Sequence, residues 1–253
     1  MEEKKQHFCI FGRNPILDAI RSGKRFDKIL VLKTATGDEI KEILTLARQA
    51  ETPVQYVPRE KLDAVTQKYS KHKDANHQGI IGFLSIIDYH TIDDVIHHVI
   101  SQGQNPLLLV LDHITDVGNF GAIARSAECL GAHGIIVPSQ GAAQINAEAM
   151  KTSAGALNKI MVCREKSLVT AVKYLKANGL KVFGTDMKGT WIAKVDFSIP
   201  CAIIMGSEGE GVSKELLNLC DERISIPMAG TTESLNVSVS AGIVLYQAAI
   251  SRG

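Results

Sequence analysis

"LLLVLDHITDVGNFGAIARSAECLGAHGIIV", Leu107 to Val137, decides the fold class of this chain. It opens on an apolar run, Leu107 to Leu111, and closes on a second, Gly134 to Val137, with no polar alternation in either. A strand that faces water on one side alternates; unbroken short runs belong to strands buried on both faces. Between them Phe120, Ile123, Ala124, Ala127 and Leu130 recur at three- and four-residue spacing, a helical stripe. Two strands joined through a helix run parallel, because the crossover returns the chain to the same end. The pattern recurs downstream, where strands are predicted at 159–163, 181–184, 201–205 and 223–227. Helices are predicted at 120–130, 146–157, 168–178, 213–219 and 234–250. The implied architecture is α/β: a parallel sheet covered by helices, whose ligands sit in loops beyond the C-terminal strand ends.

A smaller alternation precedes it, with helices predicted at 14–22, 38–50 and 59–68 and strands at 28–32, 54–57 and 79–84. Asp38 stands as an N-cap and Pro53 as the stop of the longest of these helices. The next segment, "SIIDYHTIDDVIHHVISQGQNPLL", holds no Lys or Arg and closes on Gly103, Asn105 and Pro106. One short amphipathic helix on Ile92, Val95, Ile96 and Val99 is expected within it. The expected organisation is a first domain over residues 1–85, a connector over 86–105 and a second domain over 106–253.

The 253 residues are 45% hydrophobic and 22% charged, enough for two buried cores. No apolar run approaches the roughly 18 residues of a membrane helix, and "MEEKKQHF" lacks the apolar centre of a signal peptide. Five scattered cysteines without a CxxC pair and eight histidines without ligand spacing argue against a disulfide framework or a metal site. A reducing cytoplasm is the expected compartment. The net charge of +1 is unevenly spread: residues 1–85 hold 15 Lys and Arg against 11 Asp and Glu, whereas 104–253 hold 13 of each. The local cluster "KYSKHKDANH", Lys68 to His77, suits phosphate, but a solvated loop has the same composition.

Three loops of the second domain carry residues that position ligands. In the first, Gly118 and Gly121 bracket Asn119, read as an N-cap for a helix that turns Arg125 away from its buried face. A capped helix with a surface arginine fits equally well. The second, "CAIIMGSEGEGVSKEL", places Gly206, Gly209 and Gly211 after a strand. This G-x-x-G-x-G is neither the dinucleotide fingerprint nor a P-loop. Glu208 and Glu210 would repel a pyrophosphate, so a neutral or cationic ligand is favoured. The third, "ISIPMAGTTESLNVSVSAG", alternates like a strand over Leu235 to Ser240, while Leu235, Val239, Ile243, Tyr246 and Ile250 form a helical stripe. The stripe outlasts the alternation, so a helix is expected from near Ser234 or Asn236, with Thr231 to Ser234 as turn or cap residues. Its small residues Ser238, Ala241 and Gly242 permit close packing.

Taken together, in this order and at strand ends, the loops resemble the SpoU (TrmH-type) branch of the SPOUT RNA 2′-O-ribose methyltransferases. The likeness rests on Asn119-Phe120-Gly121…Arg125, on Met205-Gly206-Ser207-Glu208-Gly209, and on Ile226-Pro227-Met228…Ser234-Leu235-Asn236-Val237-Ser238, and it covers 107–251. Within the family the first loop usually reads D-P-x-N-x-G; Val117-Gly118 stands in place of Pro-x, and a flexible glycine replaces a preset turn. On that view Gly118→Pro is expected to be tolerated. "FGRNPILDAIRSG" and "HQGI" resemble the small domain, similar to ribosomal RNA-binding proteins, that many members carry.

The resemblance implies a trefoil-knotted C-terminal domain, a homodimer, and a pocket for S-adenosyl-L-methionine touched by Gly206, Ile226 and Leu235, with Thr185 beside it. It implies RNA as partner, with large-subunit (23S) ribosomal RNA and a guanosine ribose the nearest likeness; no membrane or DNA partner and no metal is expected. Arg125, Asn119, Glu208, Ser234 and Asn236 are the implied catalytic group. A guanidinium is a poor base, so Arg125 is expected to stabilise the developing alkoxide or grip the adjacent phosphate, with Glu208 holding Arg125 or accepting the proton. Asn119, Ser234 and Asn236 supply oriented hydrogen bonds. A transfer RNA, an antibiotic-target site in ribosomal RNA, or a catalytically silent RNA-binding role remain the alternatives at this stage.

Overall fold

The computed structural model describes residues 9–70, 76–231 and 234–253. The charged N-terminal octet, the centre of the Lys68–His77 cluster and Thr232-Glu233 lie outside the described residues. The chain divides into two compact units, Met1–Asp88 and Tyr89–Gly253.

The first unit is a four-stranded mixed sheet in the order β1 (Cys9–Phe11), β4 (Ile80–Leu84), β2 (Phe26–Leu32), β3 (Val54–Val57). Only β2 and β3 pair in parallel. Helices α1 (Arg13–Arg21) and α2 (Asp38–Gln49) bury Ile16, Leu17, Ile40 and Ile43 with Ile29 and Val31 of the sheet. Helix α3 (Arg59–Tyr69) buries Leu62 and Val65 with Leu30 and Ile81, the alternate residues of the same strands. Asp38 is the first helical residue; the capping position is Gly37, and no side chain caps that end.

The second unit holds a seven-stranded sheet in the order β11 (Glu222–Ser225), β9 (Lys181–Trp191), β10 (Cys201–Met205), β6 (Leu107–Leu111), β7 (Gly134–Pro138), β8 (Met161–Glu165), β5 (Tyr89–His90). Every pairing is parallel. All five residues of β6 and of β10 are buried, as their unbroken apolar runs require. From β6 the chain winds outward through β7 and β8, then crosses to the other side, where β10 inserts between β9 and β6. The winding therefore reverses between β6 and β10, the place where open α/β sheets leave a crevice.

Part of the expected connector is built into this unit. Helix α4 (Ile92–Ser101) buries Ile92, Val95, Ile96 and Val99 against Leu108, Val110, Ile136 and Leu175, at roughly 2 kcal/mol for each large side chain. Its acidic residues belong to its start: Thr91 and Asp94 form a capping box. Two further boundaries differ most. The expected helix 146–157 is α6 (Ala147–Thr152), which ends there because Ala154 and Gly155 adopt left-handed φ of 50° and 84°; α7 (Leu168–Ala177) and α8 (Lys214–Leu217) follow it along the chain. Strand β9 runs on from Gly184 to Trp191 through an irregularity: Gly184 pairs with Arg223 of β11, yet the next β11 residue, Ile224, pairs with Thr190.

Candidate active site

Helix α5 (Val117–Cys129) starts at the end of the β6 loop, and its N-cap is Asp116, whose Oδ1 accepts from the Asn119 backbone N–H at 2.7 Å. This corrects the reading of Asn119 as the cap. Val117 is then the first helical position, where proline is favoured, and Gly118 is the second. Proline at 118 would drive Val117 out of the helical region, so the expected tolerance of Gly118→Pro is withdrawn and passes to Val117→Pro.

Freed from capping, the Asn119 side chain points across the crevice. Its Nδ2 donates to Glu208 Oε1 at 3.1 Å, and its Oδ1 accepts from Asn236 Nδ2 at 3.0 Å. Asn236 also donates to Glu208 Oε1 at 2.5 Å, closing a triangle. The other end of Asn236 caps helix α9 (Val237–Arg252), its Oδ1 accepting from the Ser238 and Val239 amides and the Ser238 hydroxyl. The Val237 amide adds a longer bond to Glu208 Oε1 at 3.4 Å. Glu208 thus lies at the positive end of a 16-residue helix. Among the described residues, three donors converge on its Oε1 and none on its Oε2.

The loop that presents Glu208 is folded on itself. Gly211 N–H donates to Ser207 O at 2.9 Å, and a Cβ on Gly206 would lie 2.0 Å from the Gly211 carbonyl carbon. Gly206 is required by the close approach of its own loop, a reason that the G-x-x-G-x-G pattern alone does not reveal. Buried Asp112 anchors the far end, accepting from the Ser213 amide at 2.8 Å through Oδ2, while its Oδ1 lies 2.7 Å from His113 Nδ1.

Between the β10 loop, the β9 segment and the stretch before α9 lies a cavity of about 670 Å³. Gly206, Glu208, Ile226, Ser234, Leu235 and Thr185 all line it. The Thr185 hydroxyl is turned into the sheet, donating to Ile204 O at 3.0 Å. Arg125 is exposed on α5 and, among the described residues, makes no ion pair or hydrogen bond; the expected Glu208–Arg125 contact is replaced by the asparagine triangle. Behind the wall, burial pushes the Cys220 thiol up to about 11, with Asp221 adding to the effect, so it is not a ready nucleophile. Sequence reasoning missed Asp112, Asp116, Met187 and Trp191. The Asp116-x-x-Asn119 spacing was a capping signal; the other three are decided by packing.

Residues 106–246 match the sequence profile of the SpoU rRNA methylase family, more than half of the chain. The chain belongs to the SpoU rRNA methylase family. Residues 9–90 match a second profile, the RNA 2′-O ribose methyltransferase substrate-binding domain. YacO of Bacillus subtilis, a protein named for the TrmH family of tRNA/rRNA methyltransferases, is 31% identical over 244 residues, spanning 96% of this chain and 95% of its own. An uncharacterized tRNA/rRNA methyltransferase of Mycobacterium avium is 39% identical over 241 residues, spanning 94% of this chain and 75% of its own. Among solved structures, the SpoU methyltransferase AviRb of Streptomyces viridochromogenes in complex with AdoMet superposes with a TM-score of 0.60 at 27% identity, covering 97% of this chain and 90% of that one. This SpoU-family chain is accordingly an RNA methyltransferase, and its motif loops are those that meet at the crevice.

Proposed function

We propose that the cavity binds S-adenosyl-L-methionine and that the protein methylates a ribose 2′-hydroxyl of RNA, in the finer reading a guanosine of 23S ribosomal RNA. The observation that carries this reading is Glu208, held on one oxygen by Asn119, Asn236 and Val237 beside the cavity. The cavity suits the cofactor: three carboxylates, Asp186, Glu208 and Glu210, on its lining favour a sulfonium over a phosphate. The AdoMet of the AviRb complex is the corresponding ligand in a similar fold.

When bound, the cofactor supplies a methyl group on a good leaving group. The chain must orient the 2′-hydroxyl and take its proton as the O–C bond forms and the S–C bond breaks. Glu208 Oε2 is the acceptor for that proton, fixed by the bonds to Oε1. Arg125 stabilises charge developing on the ribose oxygen or grips the adjacent phosphate. Ser234 and the two asparagines hold the reacting groups, and positioning contributes more than base strength. Residues 1–85 bind the RNA, and the last part of the chain passes through a loop of the second domain as a trefoil knot. The exposed stripe of Val239, Tyr246 and Ile250 on α9 supports a homodimer.

Calorimetry with S-adenosyl-L-methionine, NAD and ATP tests the cofactor: saturable binding of the first alone is expected, and binding of NAD or ATP instead would overturn the reading. Mapping 2′-O-methyl groups in RNA from a deletion strain identifies the substrate. Loss of a single guanosine methyl in 23S ribosomal RNA is expected, and loss from a transfer RNA would replace the finer reading.

A further inference from the structure

The sheet of the first unit is covered unevenly on the face that carries α3. Antiparallel pairing sets its residues in rows across β1, β4 and β2, and alternate residues of each strand share a face. One row is Phe11, Ile81 and Leu30, and it packs in the cluster under α3. The next row on the same face is Cys9, Phe83 and Lys28. None of these three is fully buried. The helix closes the first row and leaves the second half open.

Aromatic rings and ammonium groups gather at this open end. Tyr69, in the last turn of α3, is 44% exposed and meets Phe83 edge to face, with ring centroids 5.9 Å apart. Lys28 Nζ lies 4.8 Å from the centre of the Phe83 ring, and Lys68 Nζ 5.2 Å from that of Tyr69. Burial holds the Lys28 ammonium below its usual range; Asp27 opposes the effect, and Lys61 of α3 adds to it. The ion pairs of this unit take Arg13, Arg21, Lys41, Arg59 and His77, so among the described residues none joins Lys28, Lys61 or Lys68. Unpaired positive charge therefore surrounds two rings. A phosphate would relieve the repulsion between Lys28 and Lys61, and a flat base would cover the aromatic surface. A duplex hides the faces of its bases, whereas an unpaired nucleotide offers both base and phosphate.

Resting on the reading of residues 1–85 as the RNA-binding part, we propose that Tyr69 and Phe83 stack on an unpaired base of the substrate RNA while Lys28, Lys61 and Lys68 hold the phosphates on either side of it. The first unit thereby selects a single-stranded stretch, such as a loop or bulge, over a duplex. The probe is a fluorescein-labelled oligouridine, followed by anisotropy on the full chain, with an RNA duplex of equal length for comparison. The oligouridine should bind the tighter of the two. Tyr69→Ala should weaken it roughly tenfold, and Tyr69→Phe, which keeps the ring, should restore it. Phe83→Leu, which keeps apolar volume beneath α3, should weaken it in the same direction. Lys61→Gln and Lys68→Gln should each reduce the slope of log K against log salt by about 0.7. In every variant the affinity for S-adenosyl-L-methionine should match wild type in calorimetry, while KM for RNA in methyl transfer rises in Tyr69→Ala. Wild-type oligouridine affinity in both Tyr69→Ala and Phe83→Leu would overturn the inference and leave the RNA reading of this unit standing. So would a duplex bound more tightly than the single strand. A wild-type chain that binds neither probe would remove the reading of residues 1–85, and this inference with it.

Discussion

Each unit of the molecule ties its loops together with a cluster of polar side chains, and the two clusters end differently. In the first, the Arg13 backbone amide donates to Gln78 Oε1 at 3.1 Å, while its Nε donates to Gln78 O and its guanidinium pairs with Glu39. Buried His77 accepts from the Gly79 amide through Nδ1 at 2.9 Å and meets Asp63 through Nε2 at 3.0 Å. Both of its ring nitrogens are committed. In the second, Asn119 and Asn236 are equally committed, yet both side-chain amides donate to one oxygen of Glu208, and that carboxylate stands beside a cavity. The two clusters thus differ in where their carboxylates stand: Glu39 and Asp63 face solvent, whereas Glu208 lines a cavity. A network whose carboxylates face water is scaffold; one that holds a carboxylate in place beside a cavity can do chemistry.

The largest test of that contrast is Glu208→Gln, which keeps the shape and removes the charge. Single-turnover methyl transfer should fall about a hundredfold or more while the fold, followed by circular dichroism, is kept; wild-type turnover would reduce the second cluster to scaffold. Arg125→Ala comes next, with methyl transfer falling about a hundredfold and S-adenosyl-L-methionine binding unchanged by calorimetry. Undiminished transfer would remove Arg125 from the mechanism. Substituting Gly118→Pro should destabilise the start of α5 by about 2–3 kcal/mol, whereas Val117→Pro should leave the denaturation midpoint near wild type; the reverse order would mean that α5 starts elsewhere.

On the scaffold side, His77→Ala leaves the Gly79 amide without its buried partner and should cost about 1–3 kcal/mol in urea unfolding. The affinity of the second unit for S-adenosyl-L-methionine should not move, and a coupled loss would break the separation of the two clusters. The smallest stability effect is expected for Asn236→Asp, which keeps a good N-cap but sets a second carboxylate against Glu208. Its thermal midpoint should stay within a few degrees of wild type, while methyl transfer drops about tenfold, a loss of one charge-assisted bond. A matching loss of stability would make capping, not donation, the role of Asn236.

The architecture of the second unit was legible because β6 and β10 are apolar without alternation and the intervening helices keep their stripes. The connector segment looks solvated in sequence for a physical reason: Asp93 and Asp94 serve the start of α4 while its other face packs on the sheet. The cap of α5 was misplaced because Asp116 and Asn119 are both good capping residues, and only the helix start distinguishes them. The irregularity of β9 left no periodic trace at all, since its register is set by β11, some 35 residues further along the chain.

Local chemistry, readable along the chain, determined the element types, the parallel sheet, and the three loops in which Asn119, Glu208 and Asn236 stand. It also determined the family, because those loops carry its motifs in order. Tertiary structure alone decided which oxygen of Glu208 is held, that Arg125 stands apart from it, and that Trp191 and Met187 face the cavity. Those facts depend on contacts between residues as many as 117 positions apart, Asn119 and Asn236 among them. Spacing and propensity act within a few residues, whereas the geometry of a site at a sheet's switch point is fixed by how distant strands are ordered.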